Sequence, residues 1–155
     1  MIDTPFRHLH HICIVVHDLD TSVAYYESIG VGPWQDYPPL AEFTDLRVAN
    51  PDTFRGLRYK FVDLDNVQLQ LCQPPQLDCA QRRFLDSRGE GVFHLGFESD
   101  VDEAADQGQA LGLTVAGRGQ RDNGSGFVYF DTLDRAGVVL MARRTGRASG
   151  PLQHL

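Results

Sequence analysis

Cysteine is scarce in this 155-residue chain, tryptophan occurs once, and no apolar run is long enough to cross a bilayer. The three cysteines, Cys13, Cys72 and Cys79, are odd in number and have no CxxC spacing, which excludes a disulfide scaffold or a zinc ribbon and suits reduced thiols. Basic charge is also short: 14 Lys and Arg against 21 Asp and Glu give a net charge of -7. With no basic face to meet phosphate, a nucleic-acid partner is excluded, and so is a membrane partner. The opening MIDTPFRHLHH lacks the charged-then-apolar pattern of a secretory signal, so a cytoplasmic location is expected.

What the chain does have is length for one core and a repeat inside it. HHICIVVHDLDTSVAYYESIGV from His10 and FHLGFESDVDEAADQGQALGL from Phe93 both read as histidine, apolar strand, Asp-x-Asp, helix-like segment, then glycine between aliphatics. His11 matches His94, Asp18-Leu19-Asp20 matches Asp100-Val101-Asp102, and Gly30 matches Gly112. Further on, NVQLQLCQ from Asn66 matches GVVLMARR from Gly137, each after a turn signal.

Each copy reads as β-α-β-β-β. The first predicts a strand over 11–16, a helix starting near Asp20 and capped by its carboxylate, and strands over 44–48, 57–64 and 67–72. The second predicts a strand over 92–97, a helix over 101–111, and strands over 114–116, 126–131 and 138–143. The expected layout is α+β, one domain over 1–155: module one about 8–75, a linker about 76–90 with a short helix near 79–87, module two about 91–144, and a flexible tail 145–155.

LHHICIVVHDLDTSVAYYESIGV and FLDSRGEGVFHLGFESDVDEA closely resemble the paired modules of the vicinal oxygen chelate superfamily, which includes glyoxalase I, methylmalonyl-CoA epimerase, extradiol dioxygenases and bleomycin-resistance proteins. The resemblance covers about residues 8–144. It implies two tandem βαβββ modules forming a curved, cleft-bearing mixed sheet, the glyoxalase-like fold. It also implies one divalent ion (Zn, Co, Mn, Ni, Mg or Fe) between the modules, with ligands from the first and last strand of each. Carried over by position, these are His11, Gln70 and His94, while the fourth place falls on Met141. Methionine is a poor ligand for such ions and cannot act as a base. The strand FRGLRYKF also lacks the carboxylate that completes the epimerases' proton relay.

Three arrangements follow: an open site with three ligands, ranked first; a side chain such as Glu98 reaching in, although it lies about 13 Å along the strand from His94; or a cleft without metal. A lone histidine in an apolar strand is more often a core residue than a ligand, but two at equivalent places in two repeats point to a shared cleft. His8, His10 and His17 have no repeat partners and read as surface or structural, with His10 pointing opposite to His11. Strand alternation puts Arg143 beside Met141, and Tyr129 beside Asp131, on one face, with Tyr59 on the matching strand of module one. Tyr59, Tyr129, Met141 and Arg143 are therefore expected to contact substrate, and Glu98 or Asp131 to carry a proton. Trp34 and the loop PWQDYPPL after the first helix are expected to cover an entrance.

The function so implied is a metal-dependent isomerase, epimerase or lyase acting on a small carbonyl-containing substrate through an enolate. The alternative is a metal-free binding or resistance protein of the bleomycin-resistance type. A homodimer is expected from chains of this size in the family.

Overall fold

The computed structural model describes residues 2–147. One curved nine-stranded sheet carries the whole fold. Its strands in chain order are β1 (Leu9–Val15), β2 (Gln35–Asp36), β3 (Asp45–Arg47), β4 (Arg58–Asp63), β5 (Gln68–Gln73), β6 (Gly91–Glu98), β7 (Val115–Gln120), β8 (Gly126–Phe130) and β9 (Val139–Arg144). In space they run β2-β4-β5-β1-β6-β9-β8-β7-β3. The helices are α1 (Leu19–Ser28), α2 (Pro51–Arg55), α3 (Ala80–Arg88), α4 (Val101–Ala110) and α5 (Leu133–Ala136). Among the described residues no helix is long and apolar enough to cross a membrane.

The two repeats fold alike for local reasons. Asp18 and Asp100 are the N-caps of α1 and α4, Asp18 accepting from Thr21 N and Asp100 from Asp102 N and Glu103 N. The cap of α1 is thus Asp18, not the expected Asp20, which lies in the first turn where its charge complements the dipole. After each helix a glycine takes a left-handed conformation, Gly30 at φ 91° and Gly112 at φ 87°, and turns the chain back. In each module the first and last strands pair in parallel, β1 with β5 and β6 with β9. The modules join where β1 and β6 pair antiparallel.

The strand expected over 44–48 forms at Asp45–Arg47, but it pairs with β7 of module two. β2 sits at the opposite edge of the sheet, on β4. Residues 37–44 therefore cross the open mouth of the sheet as a strap, including a 3-10 turn at Leu40–Glu42. Sequence periodicity carries no trace of this, because a two-residue and a three-residue strand are too short to show a period. Trp34 does not guard an entrance. It is buried against Tyr26, with Val16, Leu19, Val62 and Leu71 in the same core, and donates Nε1–H to Val31 O at 2.9 Å.

Beneath the strap, Cys13, Val15, Leu57, Cys72, Phe84, Leu85, Phe93 and Val139 form the floor of the cup. Both Cys13 and Cys72 are buried free thiols here. The chain is still fastened beyond β9: Thr145 N donates to Glu98 Oε2 at 3.0 Å and Arg147 N to Asn123 O at 2.8 Å. The expected tail is therefore held through 147, and residues 148–155 lie outside the described residues.

Candidate metal centre

β1 and β6 run side by side through the middle of the sheet, and each carries one extra residue against the other. Leu9 pairs with Phe97 but His11 with Gly96, so His10 is extra on β1; Cys13 pairs with His94 but Ile14 with Val92, so Phe93 is extra on β6. A bulge of this kind interrupts alternation and re-aims side chains. The histidines directly after the two bulges meet: His11 Nε2 stands 3.0 Å from His94 Nε2, with ring centroids 5.1 Å apart and planes nearly perpendicular. The rings are 3% and 1% exposed as residues, so this is a buried contact. The ring of His11 lies over Gly96, where a Cβ would come within 2.1 Å of Cε1. Glycine is what leaves room for it.

The bulge also corrects the expectation for His10. Its ring does not point away but contacts His11, Nδ1 to Nδ1 at 2.8 Å, and its Nε2 lies 3.2 Å from Arg143 Nη1. Burial and then Arg143 lower the pKa of His10; burial, His94 and His10 lower that of His11 further; burial alone brings His94 to about 3. All three rings are therefore neutral at neutral pH, and their tautomers follow. Arginine has only donors, so His10 Nε2 accepts from Arg143 and its proton sits on Nδ1. That proton goes to His11 Nδ1, His11 then donates Nε2–H to His94 Nε2, and the last proton is left on His94 Nδ1. That atom is buried and has no hydrogen-bond partner among the described residues.

Gln70 is 4% exposed and donates Nε2–H to Gln68 Oε1 at 2.8 Å, while its own Oε1 makes no hydrogen bond among the described residues. His11, His94, Gln70, Tyr59, Tyr129, Met141 and Arg143 all line one chamber of about 40 Å³. Met141, 5% exposed, packs in an apolar cluster with Phe43 and Phe127. Burial pushes up the hydroxyl pKa of both tyrosines, so neither is a base near neutral pH. Tyr129 is also part of the wall of a much larger cleft of about 1000 Å³.

Glu98 and Asp131 are not brought to the histidines. Glu98 accepts from Arg143 Nη1 at 2.9 Å and from Thr145; partial burial raises its pKa, but the Arg143 hydrogen bond and charge outweigh this and hold it low. Asp131 opens onto the larger cleft. Among the described residues, no Asp or Glu lines the chamber itself.

The donors fit a divalent cation. Two nitrogens bound to one ion at about 2.1 Å each stand about 3 to 3.5 Å apart, which the His11–His94 spacing meets. With the Gln70 amide oxygen in the same chamber, the donors available are N, N and O, a set that suits borderline and hard ions. Among the described residues no group of three or more His, Cys, Asp or Glu is placed for a metal. The set is two imidazoles and an amide.

The loop PWQDYPPL, expected at an entrance, brings Tyr37 and Leu40 over the chamber, joined there by Phe43 further along the strap. One feature was absent from the sequence reading: Arg121, whose side chain enters the same chamber from the turn between β7 and β8. QRDNGSG marks a turn, but nothing in it shows that the arginine folds inward.

The described arrangement has known relatives. The chain superposes on methylmalonyl-CoA epimerase from Mycobacterium tuberculosis with a TM-score of 0.69 at 21% identity, covering 95% of this chain and 93% of that one. A variant of Streptomyces coelicolor methylmalonyl-CoA epimerase in complex with 2-nitronate-propionyl-CoA gives 0.68 at 24% identity, covering 90% and 98%. A hypothetical protein from Bacillus halodurans C-125 gives 0.66 at 16% identity, covering 92% and 96%. At these identities the likeness establishes the glyoxalase-like fold. No curated protein matches the sequence. The family profile, in contrast, matches residues 10–130, and the chain belongs to the glyoxalase/bleomycin resistance protein/dioxygenase superfamily.

Proposed function

We propose that this protein is a divalent-metal-dependent isomerase, epimerase or lyase acting on a small carbonyl-containing compound, with His11, His94 and Gln70 as the protein ligands. The observation that carries this is the buried pair of imidazole nitrogens 3.0 Å apart beside an unpaired amide oxygen. A cation there would supply Lewis acidity to a substrate oxygen as negative charge develops on it. With three protein donors and Met141 in the fourth place, positions remain open for that oxygen.

The chain's own residues then have defined work. Gly96 holds space for His11, Gln68 orients the amide of Gln70, and Tyr37, Leu40 and Phe43 of the strap wall the chamber. Asp131 is the better placed of the two proposed proton carriers, since it opens onto the larger cleft while Glu98 is engaged by Arg143. The larger cleft adjoins the chamber at Phe54 and Tyr129, which line both, and offers room for the bulk of a substrate.

The test has two parts. Protein purified without chelator is expected to hold, or take up on titration, one Zn, Co, Mn or Ni ion per chain, and the loaded protein to exchange an α-proton of a carbonyl substrate with solvent deuterium. No stoichiometric ion removes the proposal. Ligand binding with neither ion nor exchange favours the second reading, a metal-free small-molecule binding or resistance protein. That reading has its own support in the carboxylate-free chamber wall and the packed Met141.

A further inference from the structure

Three arginines enter the chamber, and two have partners. Arg143 is hydrogen-bonded to Glu98 at 2.9 Å, and Arg144 to Asp100 at 3.1 Å. Arg121 is different. Its side chain is 13% exposed, yet Nε and Nη2 are buried with no hydrogen-bond partner among the described residues, while Nη1 reaches Ser125 Oγ at 3.4 Å. A buried guanidinium without partners is costly, so an orphan pair of donors in a cavity asks for an acceptor. Nε–H and Nη2–H share one edge of the guanidinium, the edge that grips both oxygens of a carboxylate side-on. The plane is already held in place, with Cζ 3.8 Å above the Phe43 ring and 5.8 Å from that of Tyr37.

The chain also shows what stands in when that edge is empty. Glu42, exposed on the 3-10 turn of the strap, has Oε1 3.9 Å from Arg121 Nε, close enough to pair electrostatically and too far to hydrogen-bond. We infer that Arg121 is the receptor for a ligand carboxylate and that Glu42 is its displaceable internal substitute, tying the strap shut until such a ligand enters. This deepens the reading above, and rests on it for the choice of chamber: the substrate class becomes a small carbonyl compound that also carries a carboxylate. A chamber of about 40 Å³ and an internal carboxylate as placeholder favour a carboxylate over a phosphate.

The experiment uses the full chain stripped of metal by chelator, titrated with pyruvate, malonate, pyruvamide and inorganic phosphate and followed by heat or by NMR shifts. The carboxylates are expected to bind and pyruvamide not. Arg121→Lys, which keeps the charge and loses the fork, is expected to weaken binding about tenfold. Glu42→Gln, a change at an exposed residue, is expected to tighten it about twofold to fivefold by removing a weak competitor. Equal binding of pyruvate and pyruvamide, preference for phosphate, no carboxylate binding to the wild type, unchanged affinity in Arg121→Lys or no gain in Glu42→Gln would each overturn the inference. Because no cation is present, these results stand apart from the metal titration that decides the proposed function.

Discussion

The two modules share a frame and differ where it matters. Each places a bulge immediately before its inward histidine, but the bulged residue is His10 in module one and Phe93 in module two. His11 consequently has a ring nitrogen on its Nδ1, whereas His94 Nδ1 is buried without a hydrogen-bond partner among the described residues. Two residues beyond the histidines the pair is Cys13 and Gly96, and on the last strands it is Gln70 and Met141. A duplicated scaffold thus holds an unequal site: module one supplies the polar support and the amide, and module two the space and an apolar wall. The duplication fixes where side chains converge, and single residues decide what converges there.

The acid side of the stability curve should show this inequality most strongly. In chelator-treated protein His94 has a folded-state pKa of about 3 against about 6.5 unfolded, so the unfolded chain takes up its proton first. Stability is present above about pH 6.5 and is lost as pH falls toward 3, by on the order of 5 kcal/mol in the limit. His94→Gln should flatten that slope in urea titrations at several pH values.

Next in size is Gly96→Ala. Its Cβ would strike the His11 ring, costing about 1–3 kcal/mol of stability and roughly a hundredfold in Zn or Co affinity by calorimetry. Cys13→Ala, at the matching place in module one, should leave that affinity nearly unchanged. Wild-type affinity in Gly96→Ala would mean that the ring does not depend on this glycine.

Met141→Glu would make the last strands more alike in polarity. It should tighten cation binding about tenfold while lowering the stability of the metal-free protein, where a charged group would replace a packed apolar side chain beside Phe43 and Phe127.

The smallest effect is expected for Arg143→Gln. Cation binding to His11 Nε2 needs its proton moved to Nδ1, which makes His10 accept there and carry its proton toward Arg143. Glutamine can accept that proton and arginine cannot, so affinity should rise a few-fold. Imidazole ¹⁵N shifts of the metal-free wild type should also show His11 protonated at Nε2, a readout that needs no cation.

Strands and helices of ordinary length were legible because their apolar periods and caps are local: β1, β5, β6, β9, α1, α3 and α4 lie within a residue or two of their expected spans. The convergence of His11 and His94 was readable from the repeat. The direction of His10 was not, since alternation assumes an unbroken ladder and the bulge exists only against the partner strand. Glu98 and Arg143 looked like independent site residues in the sequence, but their strands put them side by side, where opposite charges pair. The covering role of the PWQDYPPL loop was expected, but its anchoring on module two was out of reach: β3 sits beside β7, about 70 residues away in the chain, and no window of local sequence holds that pairing.

By itself the sequence determined the duplication, the helix ends and the pair of inward histidines, because capping, apolar period and repetition act between residues close along the chain. Tertiary structure alone decided which ring nitrogens face each other, which charges are already spent on one another, and that Arg121 is left with an unpaired edge inside the chamber. Those outcomes depend on distances and burial between distant segments, which are set only when the sheet curves and the strap crosses it.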